Sequence, residues 1–491
     1  MTYDLLVVGG GIHGVAVARD AALRGLRVLL AERGDLASGT SSRSSKLVHG
    51  GIRYLETGQF RHVREALRER ALLLSLAPYH VRPLRFLLPH YRGEGRSRWA
   101  VSLGLALYAA LAGRHPLAEH ETLGSSEALA LEPSLRPEGL VGASRFWDAQ
   151  VDDASLCVAI AVDAERAGAD VRTYTEVRAM RREAGSWIAS LRDAETGAEE
   201  EIAVKLVVNA AGPWVETVRA LAGCPPRALV RRTRGTHVVL PALTREHALL
   251  LTARRDGRVF FILPWGCHSL VGTTDVDDPS APERVGPTAE DVRYLLEETA
   301  RAVPASRGKP PERAFAGVRA LARGRAALPW ANSREHRIEE EEGMLTLIGG
   351  KYTTHRRLAE RVVDRAAALL HAETGPCRTA SAPIGPERSE AIAVLGSRYP
   401  EVKRLSDGSE ITQAEIVHAV LGERARHVED VLLRRTRLWL SATRMREAAE
   451  PVSVWMAPHR GWSEEARARE VRRLHDRLEQ EGALCAREED R

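Results

Sequence analysis

The clearest pattern of hydrophobic and polar positions is in the N-terminal segment DLLVVGGGIHGVAVARDAALRGLRVLLAE (4–32). An apolar run over 5–8 meets three glycines in G-x-G-x-x-G spacing, a helical stretch follows, and a second apolar run over 28–30 ends at Glu32. This order predicts a strand, a tight turn, a helix and a second strand. The glycines allow the turn, the approach of a pyrophosphate and close helix packing, and the glutamate can accept hydrogen bonds from a ribose. The segment therefore predicts a dinucleotide-binding unit.

The same strand-and-helix pattern occurs in three separated segments, 1–75, 148–215 and 344–372. Residues 227–275 instead alternate apolar and polar positions, which predicts an antiparallel sheet. After about residue 378 the pattern is almost entirely helical. An NAD dehydrogenase more often has one contiguous set of such units. Here the chain returns to the nucleotide-binding layer near residue 350. This arrangement favours a long flavin dinucleotide as the cofactor.

Capping residues mark two helices of the C-terminal part. Thr412 and Glu415 have the spacing of a capping box, and Gly422 stands where that helix should end. Ser463, followed by two glutamates, predicts the start of a terminal helix, because acidic side chains favour the first turn.

The charge and the cysteine content of the chain restrict its possible binding partners and its compartment, but they say little about its fold. The 491 residues carry a net charge of +5, and nearly all basic residues are arginine, a balance that favours anionic lipid, nucleic acid or an anionic substrate. The five cysteines are scattered, which predicts a reducing, cytoplasmic compartment, no disulfide framework and no metal site. Because residues 4–8 already form the first strand, we expect no signal peptide.

The longest apolar stretch, 99–113, is shorter than the roughly 20 residues that a membrane-spanning helix needs. It follows the basic segment RGEGRSR, and two interpretations stay open. It is either a buried helix of the second domain or a helix in a membrane interface, with its basic neighbours on the headgroups.

A series of motifs resembles the FAD-dependent glycerol-3-phosphate dehydrogenases, flavin enzymes that pass electrons to a quinone. In family order these are VGGGIHGVAVARDAALRG, SGTSSRSSKLVHGGIRYLE (38–56), VNAAGPWV, RGTHVVLP, LVGTTDV, AGVRAL and IGGKYTTHRRLA, and the tail ARHVEDVLLRRTR resembles the family's helical domain. The resemblance covers almost the whole chain. Three residues depart from it: His13, Ala320 and His355 stand where a smaller or amide residue, a proline and a tyrosine are usual.

The resemblance implies an α/β (α+β) fold. Its parts are a FAD-binding Rossmann-like domain of the glutathione-reductase/D-amino-acid-oxidase type, an antiparallel-sheet substrate domain and a C-terminal helical domain. The boundaries that we expect are 1–79, 146–225 and 340–375 for a discontinuous FAD-binding domain, 80–145 and 226–339 for the substrate domain, and 376–491 for the helical domain.

The loop TSSRSSKLVHGG (40–51) carries five hydroxyl side chains before a pair of glycines. Such a loop can donate hydrogen bonds to pyrophosphate and ribityl oxygens, although composition alone is more typical of a solvated serine-rich loop. Its place after Glu32 and the resemblance favour contacts with the cofactor. The FAD-binding residues that we expect are Gly9, Gly11, Ile12, His13, Gly14, Glu32, Arg33, Thr40, Ser41, Ser45, Lys46, Leu47, His49, Val177, Ala211, Gly212, Trp214, Asp275, Arg319, Gly349, Gly350, Lys351, Tyr352, Thr353 and Thr354.

A small phosphate ester needs two or three convergent cations, of which arginine supplies a fork and lysine a point charge. The resemblance implies oxidation of sn-glycerol 3-phosphate to dihydroxyacetone phosphate by hydride transfer to FAD. Its implied substrate-binding residues are Arg53, Tyr54, Arg319, Lys351, His237 and Thr354, and its implied catalytic residues are His237, Lys351 and Arg319. A neutral imidazole suits a general base near pH 7, so His237 is one candidate for the C2 hydroxyl proton and Lys351 is the other.

The partners that follow from the resemblance are a membrane quinone and an anionic membrane surface, with a homodimer as a further expectation. The chain would then be peripheral on the inner face of the cell membrane. One alternative is an oxidase of the same fold that uses oxygen, or that acts on a 2-hydroxy acid or amino acid. We expect no nucleic acid partner, because acidic residues interleave with the arginines after residue 420.

Overall fold

The computed structural model describes residues 2–113, 117, 119–323, 336–385 and 388–486. Its strands are β1 (Thr2–Val8), β2 (Val28–Ala31), β3 (Leu47–Val48), β4 (Val81–Tyr91), β5 (His120–Leu123), β6 (Leu140–Val151), β7 (Asp170–Arg172), β8 (Thr175–Glu183), β9 (Ser186–Asp193), β10 (Glu199–Asn209), β11 (Val230–Pro241), β12 (Ala248–Thr252), β13 (Val259–Trp265), β14 (His268–Gly272), β15 (Val276–Asp277), β16 (Arg313–Ala322), β17 (Arg337–Glu341), β18 (Met344–Ile348), β19 (Val402–Arg404) and β20 (Glu410–Thr412). Its α-helices are α1 (Ile12–Leu23), α2 (Phe60–Leu76), α3 (Arg98–Ala112), α4 (Ser125–Leu131), α5 (Asp153–Arg166), α6 (Val215–Leu221), α7 (Ala289–Ala302), α8 (His355–Leu370), α9 (Arg388–Gly396), α10 (Gln413–Leu421), α11 (Val428–Arg434), α12 (Ala442–Arg460) and α13 (Glu464–Ala486).

The first sheet has the order β17-β18-β10-β1-β2-β7, extended by the hairpin of β8 and β9. Strands β18, β10, β1, β2 and β7 run parallel, with Leu5 opposite both Val28 and Leu206. Such strands are apolar on both faces because both are covered. Helices α1, α5 and α8 pack on one face, while Trp187 and α6 lie on the other. This is the predicted strand–turn–helix–strand unit, completed by segments distant in the chain.

The second sheet is antiparallel over most of its strands and has the order β15-β11-β14-β13-β12-β4-β6-β3, with β16 beside β11 and β5 beside β6. Helices α4 and α7 cover one face. The C-terminal helices cover much of the other face, through a core that includes Phe315, Trp439 and Met445. Because successive side chains of a strand point to opposite faces, the second sheet packs against a separate layer of helices on each face.

Three strands do not follow the predicted domain divisions. Strand β3 lies in the first predicted FAD segment but pairs with β6 of the second sheet. Strand β6 runs through residue 146, and β17 begins before residue 340 although it pairs with β18 of the first sheet. The domain boundaries themselves stay a prediction.

The described part of the chain after residue 378 is mainly helical, as predicted, and its one pair of strands there is the hairpin of β19 and β20. Its turn contains Gly408 at φ +83°, a conformation that suits glycine. Thr412 Oγ1 accepts from the Glu415 amide at 3.2 Å, which confirms Thr412 as an N-cap and gives one of the two bonds of the predicted capping box. Ser463 Oγ accepts from the Ala466 amide at 3.2 Å, which confirms the predicted start of the terminal helix.

Helix α3 contains the apolar stretch, and the interpretation of it as a buried helix is wrong. Val101, Leu105 and Tyr108 face the protein, but Trp99 is 87 % exposed and Leu103 is 73 % exposed. Across the described ranges, no helix is long and apolar enough to cross a membrane. Helix α3 therefore lies on the surface, with one apolar side against the protein and other apolar side chains exposed to solvent.

Candidate active site

A cavity of about 670 Å³ opens beyond the carboxyl ends of β1 and β10, between the two sheets. Among the residues predicted as functional, those that line it are Gly9, Gly11, Ile12, His13, Glu32, Arg33, Thr40, Ser41, Ser45, Leu47, His49, Tyr54, Val177, Ala211, Gly212, Trp214, His237, Arg319, Gly349, Gly350, Lys351, Tyr352 and Thr353. Gly14, Lys46, Arg53, Asp275 and Thr354 were predicted too, but they are not among the lining residues.

The glycine turn after β1 forms one end of the cavity. Gly9 has φ +113°, and a Cβ on Gly14 would collide with the Gly9 carbonyl oxygen, so close packing of α1 accounts for Gly14 although it does not line the cavity. Ser41 Oγ accepts from the Ile12 amide at 2.9 Å at the start of α1. The remaining amides of the first turn and the helix dipole favour a phosphate there.

Glu32, which follows β2, stabilises the same turn through hydrogen bonds. Its carboxylate accepts from the amides of Gly10 at 2.6 Å and Gly34 at 2.8 Å, and burial raises its pKa. A carboxylate has further lone pairs, so the group can still accept from a ribose diol. Phosphate-binding amides, a ribose acceptor and a deep cavity together fit a dinucleotide cofactor.

The loop 40–49 crosses from this turn to the second sheet. Thr40 Oγ1 donates to the Val318 carbonyl at 2.5 Å. Lys46 is not among the residues that line the cavity, and its predicted contact with FAD stays a prediction. Its ammonium pairs with Asp153, donates to the Ser42 carbonyl at 3.1 Å and lies 4.3 Å from the centre of the Trp439 ring. Burial of this cation is offset by a carboxylate that is distant in the sequence.

His237 lies on β11 with its imidazole at the cavity wall. Its Nε2 is 3.0 Å from Ser45 Oγ, and its ring stacks on Phe315 with centroids 5.3 Å apart. Burial, reinforced by the charges of Arg319 and Lys46, lowers the pKa of His237 to about 3. The imidazole is therefore neutral near pH 7, and one of its two ring nitrogens is an acceptor.

Arg319 on β16 presents its guanidinium to the same cavity. It donates to the Thr274 carbonyl at 3.0 Å, to Asp275 Oδ1 at 3.1 Å and to Thr273 Oγ1 at 2.8 Å. Asp275 therefore contacts Arg319 and does not line the cavity. Gly235 leaves the room for this arrangement, because a Cβ there would collide with the guanidinium.

Lys351 and Tyr54 meet at another wall, where the ammonium lies 3.7 Å from the centre of the phenol ring. Lys351 immediately precedes a short 3-10 turn, residues 352–354, after which α8 begins at His355. Arg53 is exposed and is not among the residues that line the cavity. Thr354 donates from its amide to the Lys351 carbonyl at 3.2 Å. The cations that face the cavity from the predicted substrate set are thus Arg319 and Lys351.

The two histidines that depart from the family pattern lie close to the Gly349–Gly350 turn. Burial lowers the pKa of His13 to about 4 and that of His355 to about 3, and His355 Nδ1 is 2.8 Å from the Tyr352 carbonyl oxygen. A Cβ on Gly350 would approach the His13 ring at 2.6 Å. The neutral His13 therefore packs against the turn that carries Lys351.

Sequence reasoning missed several residues of the site. Arg43 lines the cavity, and burial lowers its pKa to about 10. A Cβ on Gly272 would collide with the His237 ring, and one on Gly317 would meet the Arg43 carbonyl at 2.6 Å. Glycines inside strands often mark a close approach, and this signal is present in the sequence around both positions.

The family model for FAD dependent oxidoreductases matches residues 4–351. This chain belongs to the FAD-dependent oxidoreductase family. A second model, for the C-terminal domain of alpha-glycerophosphate oxidase, matches residues 345–467. Glycerol-3-phosphate dehydrogenase of Mycobacterium leprae is 36% identical over 99% of this chain and 90% of its own length.

Two further family members are informative. D-erythritol 1-phosphate dehydrogenase of Brucella abortus is 37% identical, over 91% of this chain and 97% of its own length. The crystal structure of glycerol-3-phosphate dehydrogenase from Bacillus halodurans with FAD matches with a TM-score of 0.77 at 26% identity, covering 98% of this chain and 95% of that one. The resemblance, the fold class and FAD as the cofactor are confirmed.

Proposed function

We propose that this flavoprotein oxidises sn-glycerol 3-phosphate to dihydroxyacetone phosphate and passes the electrons to a quinone. The observation that carries the proposal is the convergence of Arg319, Lys351 and a neutral His237 on the cavity that has the dinucleotide turn at its other end. Bound FAD supplies the acceptor for the two electrons and the C2 hydrogen of the substrate.

Arg319 and Lys351 have the chemistry to hold the phosphate. A guanidinium can bond to two phosphate oxygens at once, and an ammonium adds a point charge. Both interactions are stronger in a cavity than in open water, because the surrounding protein lowers the local dielectric constant. Thr273 and Asp275 orient the guanidinium through its donors. Tyr54 orients Lys351 from one side. We keep Arg53 as a phosphate ligand only as a prediction, since its side chain does not line the cavity.

His237 is the base that we favour for the proton of the C2 hydroxyl. Its imidazole is neutral and buried, and Ser45 holds Nε2 on the side of the loop 40–49. A base of this kind works when the hydroxyl approaches within hydrogen-bond distance. Lys351, on the other wall, stays the competing base.

Quinone reduction requires contact with a membrane, and α3 supplies the best surface for it. Trp99 and Leu103 are exposed on a helix that begins beside the exposed Arg96 and Arg98. An amphipathic helix with basic neighbours can lie in the interface of an anionic bilayer. We therefore propose a cytoplasmic protein bound to the inner face of the cell membrane; a homodimer stays a prediction.

Steady-state kinetics test the substrate and the acceptor together. The substrates are glycerol 3-phosphate, D-erythritol 1-phosphate, a 2-hydroxy acid and an amino acid, each assayed with a soluble quinone analogue and, separately, with air while peroxide is measured. The account predicts the highest kcat/KM for glycerol 3-phosphate with the quinone and little peroxide. D-Erythritol 1-phosphate is included because one close relative is named for it. Rapid peroxide release would favour an oxidase, and turnover of only the carboxylate substrates would refute the proposal.

A further inference from the structure

Trp439 belongs to the C-terminal helical part of the chain, yet it lies beside the surroundings of His237. It is buried in the short 3-10 turn Arg437–Leu440. Its indole meets the Phe315 ring edge to face, with centroids 6.0 Å apart and an interplanar angle of 86°. The same indole lies 4.3 Å from Lys46 Nζ.

Phe315 and the residue that precedes Lys46 both contact His237. Phe315 stacks on the imidazole at 5.3 Å with an interplanar angle of 16°. Ser45, the residue before Lys46, makes the 3.0 Å contact with Nε2. The residue that stacks on the imidazole therefore packs against this indole, and the residue that hydrogen-bonds to it immediately precedes a lysine that also contacts the indole.

The position of the indole is itself fixed from several directions. Trp265 of β13 meets it at 5.6 Å and 70°. Arg313 donates from Nη1 to the Trp439 carbonyl at 2.9 Å, and its Nε and Nη2 donate to Glu481 of α13 at 2.7 and 3.1 Å. Trp439 is thus a fixed contact between the C-terminal helices and the sheet that carries His237.

We propose that Trp439 is a positioning residue through which the C-terminal helical part sets the orientation of the His237 imidazole. The inference rests on the proposed function, in which His237 takes the proton of the substrate hydroxyl. A smaller side chain at 439 leaves space behind Phe315 and beside Lys46, so the imidazole can tilt. Misalignment lowers the rate of substrate oxidation more than substrate affinity, because the phosphate contacts are made elsewhere.

The test compares Trp439→Leu and Trp439→Phe with a matched control, Trp455→Leu. Trp455 is a buried indole of α12 whose Nε1 donates to Glu401 at 2.7 Å. Each FAD-loaded variant is mixed with glycerol 3-phosphate without air, and flavin bleaching is followed in a stopped-flow instrument. We expect W439L to slow bleaching about 10-fold or more with apparent substrate affinity within about 3-fold, W439F to stay within about 3-fold of the parent, and W455L to leave the rate unchanged.

A second readout does not depend on turnover. Diethyl pyrocarbonate labels accessible neutral imidazoles, and peptide mass spectrometry reports the rate at His237. We expect faster labelling of His237 in W439L and an unchanged rate in W455L, with FAD content and melting temperature recorded for both. If W439L gives no soluble protein, Trp439→Met carries the same comparison.

The outcomes separate the inference from the function on which it rests. Parental bleaching and labelling rates in W439L, or an equal loss in W455L, would overturn the role of Trp439. If glycerol 3-phosphate does not bleach the parent, the proposed function fails, and the labelling rates alone then decide whether Trp439 orients His237.

Discussion

Arg319 is held in place by the protein, through the donor contacts that it makes with Thr273, Thr274 and Asp275. A guanidinium that is already oriented loses less conformational freedom when an anion binds. Gly235 makes this orientation possible, and it lies opposite Gly317 in the pairing of β11 with β16.

Replacing Arg319 by alanine should lower kcat/KM for glycerol 3-phosphate by roughly 100-fold or more while the protein stays yellow, because a charge-assisted contact with the phosphate is lost. Steady-state kinetics and the FAD content measure the two effects. Arg181→Ala removes an exposed arginine that pairs with Glu201 and serves as the control. Unchanged kinetics in R319A would remove Arg319 from the substrate site.

His355 gives the protein a dependence of stability on pH. Burial lowers its pKa to about 3, whereas an unfolded histidine has its ordinary pKa near 6.5. Between these values the unfolded chain binds a proton that the folded chain does not, so stability is complete above about pH 6.5 and decreases as the pH falls toward 3. His237 and His13 contribute with the same sign.

In denaturant unfolding from pH 7 to 5, His355→Phe should therefore reduce the slope of the free energy of unfolding against pH, by up to about 1.4 kcal/mol per pH unit. The exposed His371, which has φ +49°, is replaced by asparagine as the control, because asparagine tolerates that conformation. A slope equal to that of the parent in H355F would show that His355 has the same pKa in the folded and the unfolded chain.

At the scale of single elements, helix α3 is unusual for a globular protein because it exposes large apolar side chains to solvent. One side packs on the protein through Val101, Leu105 and Tyr108, and the other presents Trp99 and Leu103 to solvent. Apolar side chains of this size on one helix face are typical of a membrane or protein contact. Helical periodicity predicts the element, but a sequence does not show which apolar face meets the protein.

Leu103→Glu should reduce co-sedimentation with anionic vesicles by about 10-fold, since a charge replaces an apolar group at the bilayer interface. Turnover with a soluble quinone analogue should stay at the parental level. Val394→Glu, a change at a 77 % exposed valine of α9, is the matched control. Equal vesicle binding by the parent and L103E would reject α3 as the membrane contact.

For the whole molecule, a buried ionic cluster joins the C-terminal helices to the FAD-binding sheet. Asp35, just after β2, pairs with Arg434 and with Arg435, whose Nη2 donates at 2.7 Å. Arg434 also donates to Asp430 at 2.6 Å, and Tyr174 donates to the same carboxylate at 2.7 Å. Contacts of this kind fix the position of the helical part against the FAD-binding sheet.

Asp35→Ala should lower the free energy of unfolding by about 3–5 kcal/mol, because two buried guanidinium groups lose a carboxylate. Glu410→Ala removes the exposed pair with Arg404 and should change it by less than about 0.5 kcal/mol. Denaturant unfolding measures both. A D35A protein as stable as the parent would show that the cluster does not hold the two parts together.

The parts of this account that sequence could predict are those with determinants close together in the chain. The turn over Gly9 to Gly14, the acceptor at Glu32 and the caps at Thr412 and Ser463 are all of this kind. The ammonium of Lys46 is different, because its partner Asp153 is 107 residues away and no local pattern places it there.

The contacts of Trp439 with Phe315 and Lys46 are equally non-local, and so is the role of Gly272 in leaving space for His237. Such arrangements depend on strand register and domain packing, which are set by the whole fold. The resemblance identifies residues that act together without saying how they meet, as the exposed Arg53 shows.

In the proposed reaction, cations hold a small phosphate ester so that its secondary alcohol faces the bound flavin. Adding glycerol 3-phosphate to the purified yellow protein without air, while the visible spectrum is recorded, tests it most directly. The account predicts loss of the oxidised flavin absorbance, with dihydroxyacetone phosphate formed in a one-to-one ratio to FAD. A spectrum that stays unchanged at saturating glycerol 3-phosphate, in protein that dithionite does bleach, would contradict it.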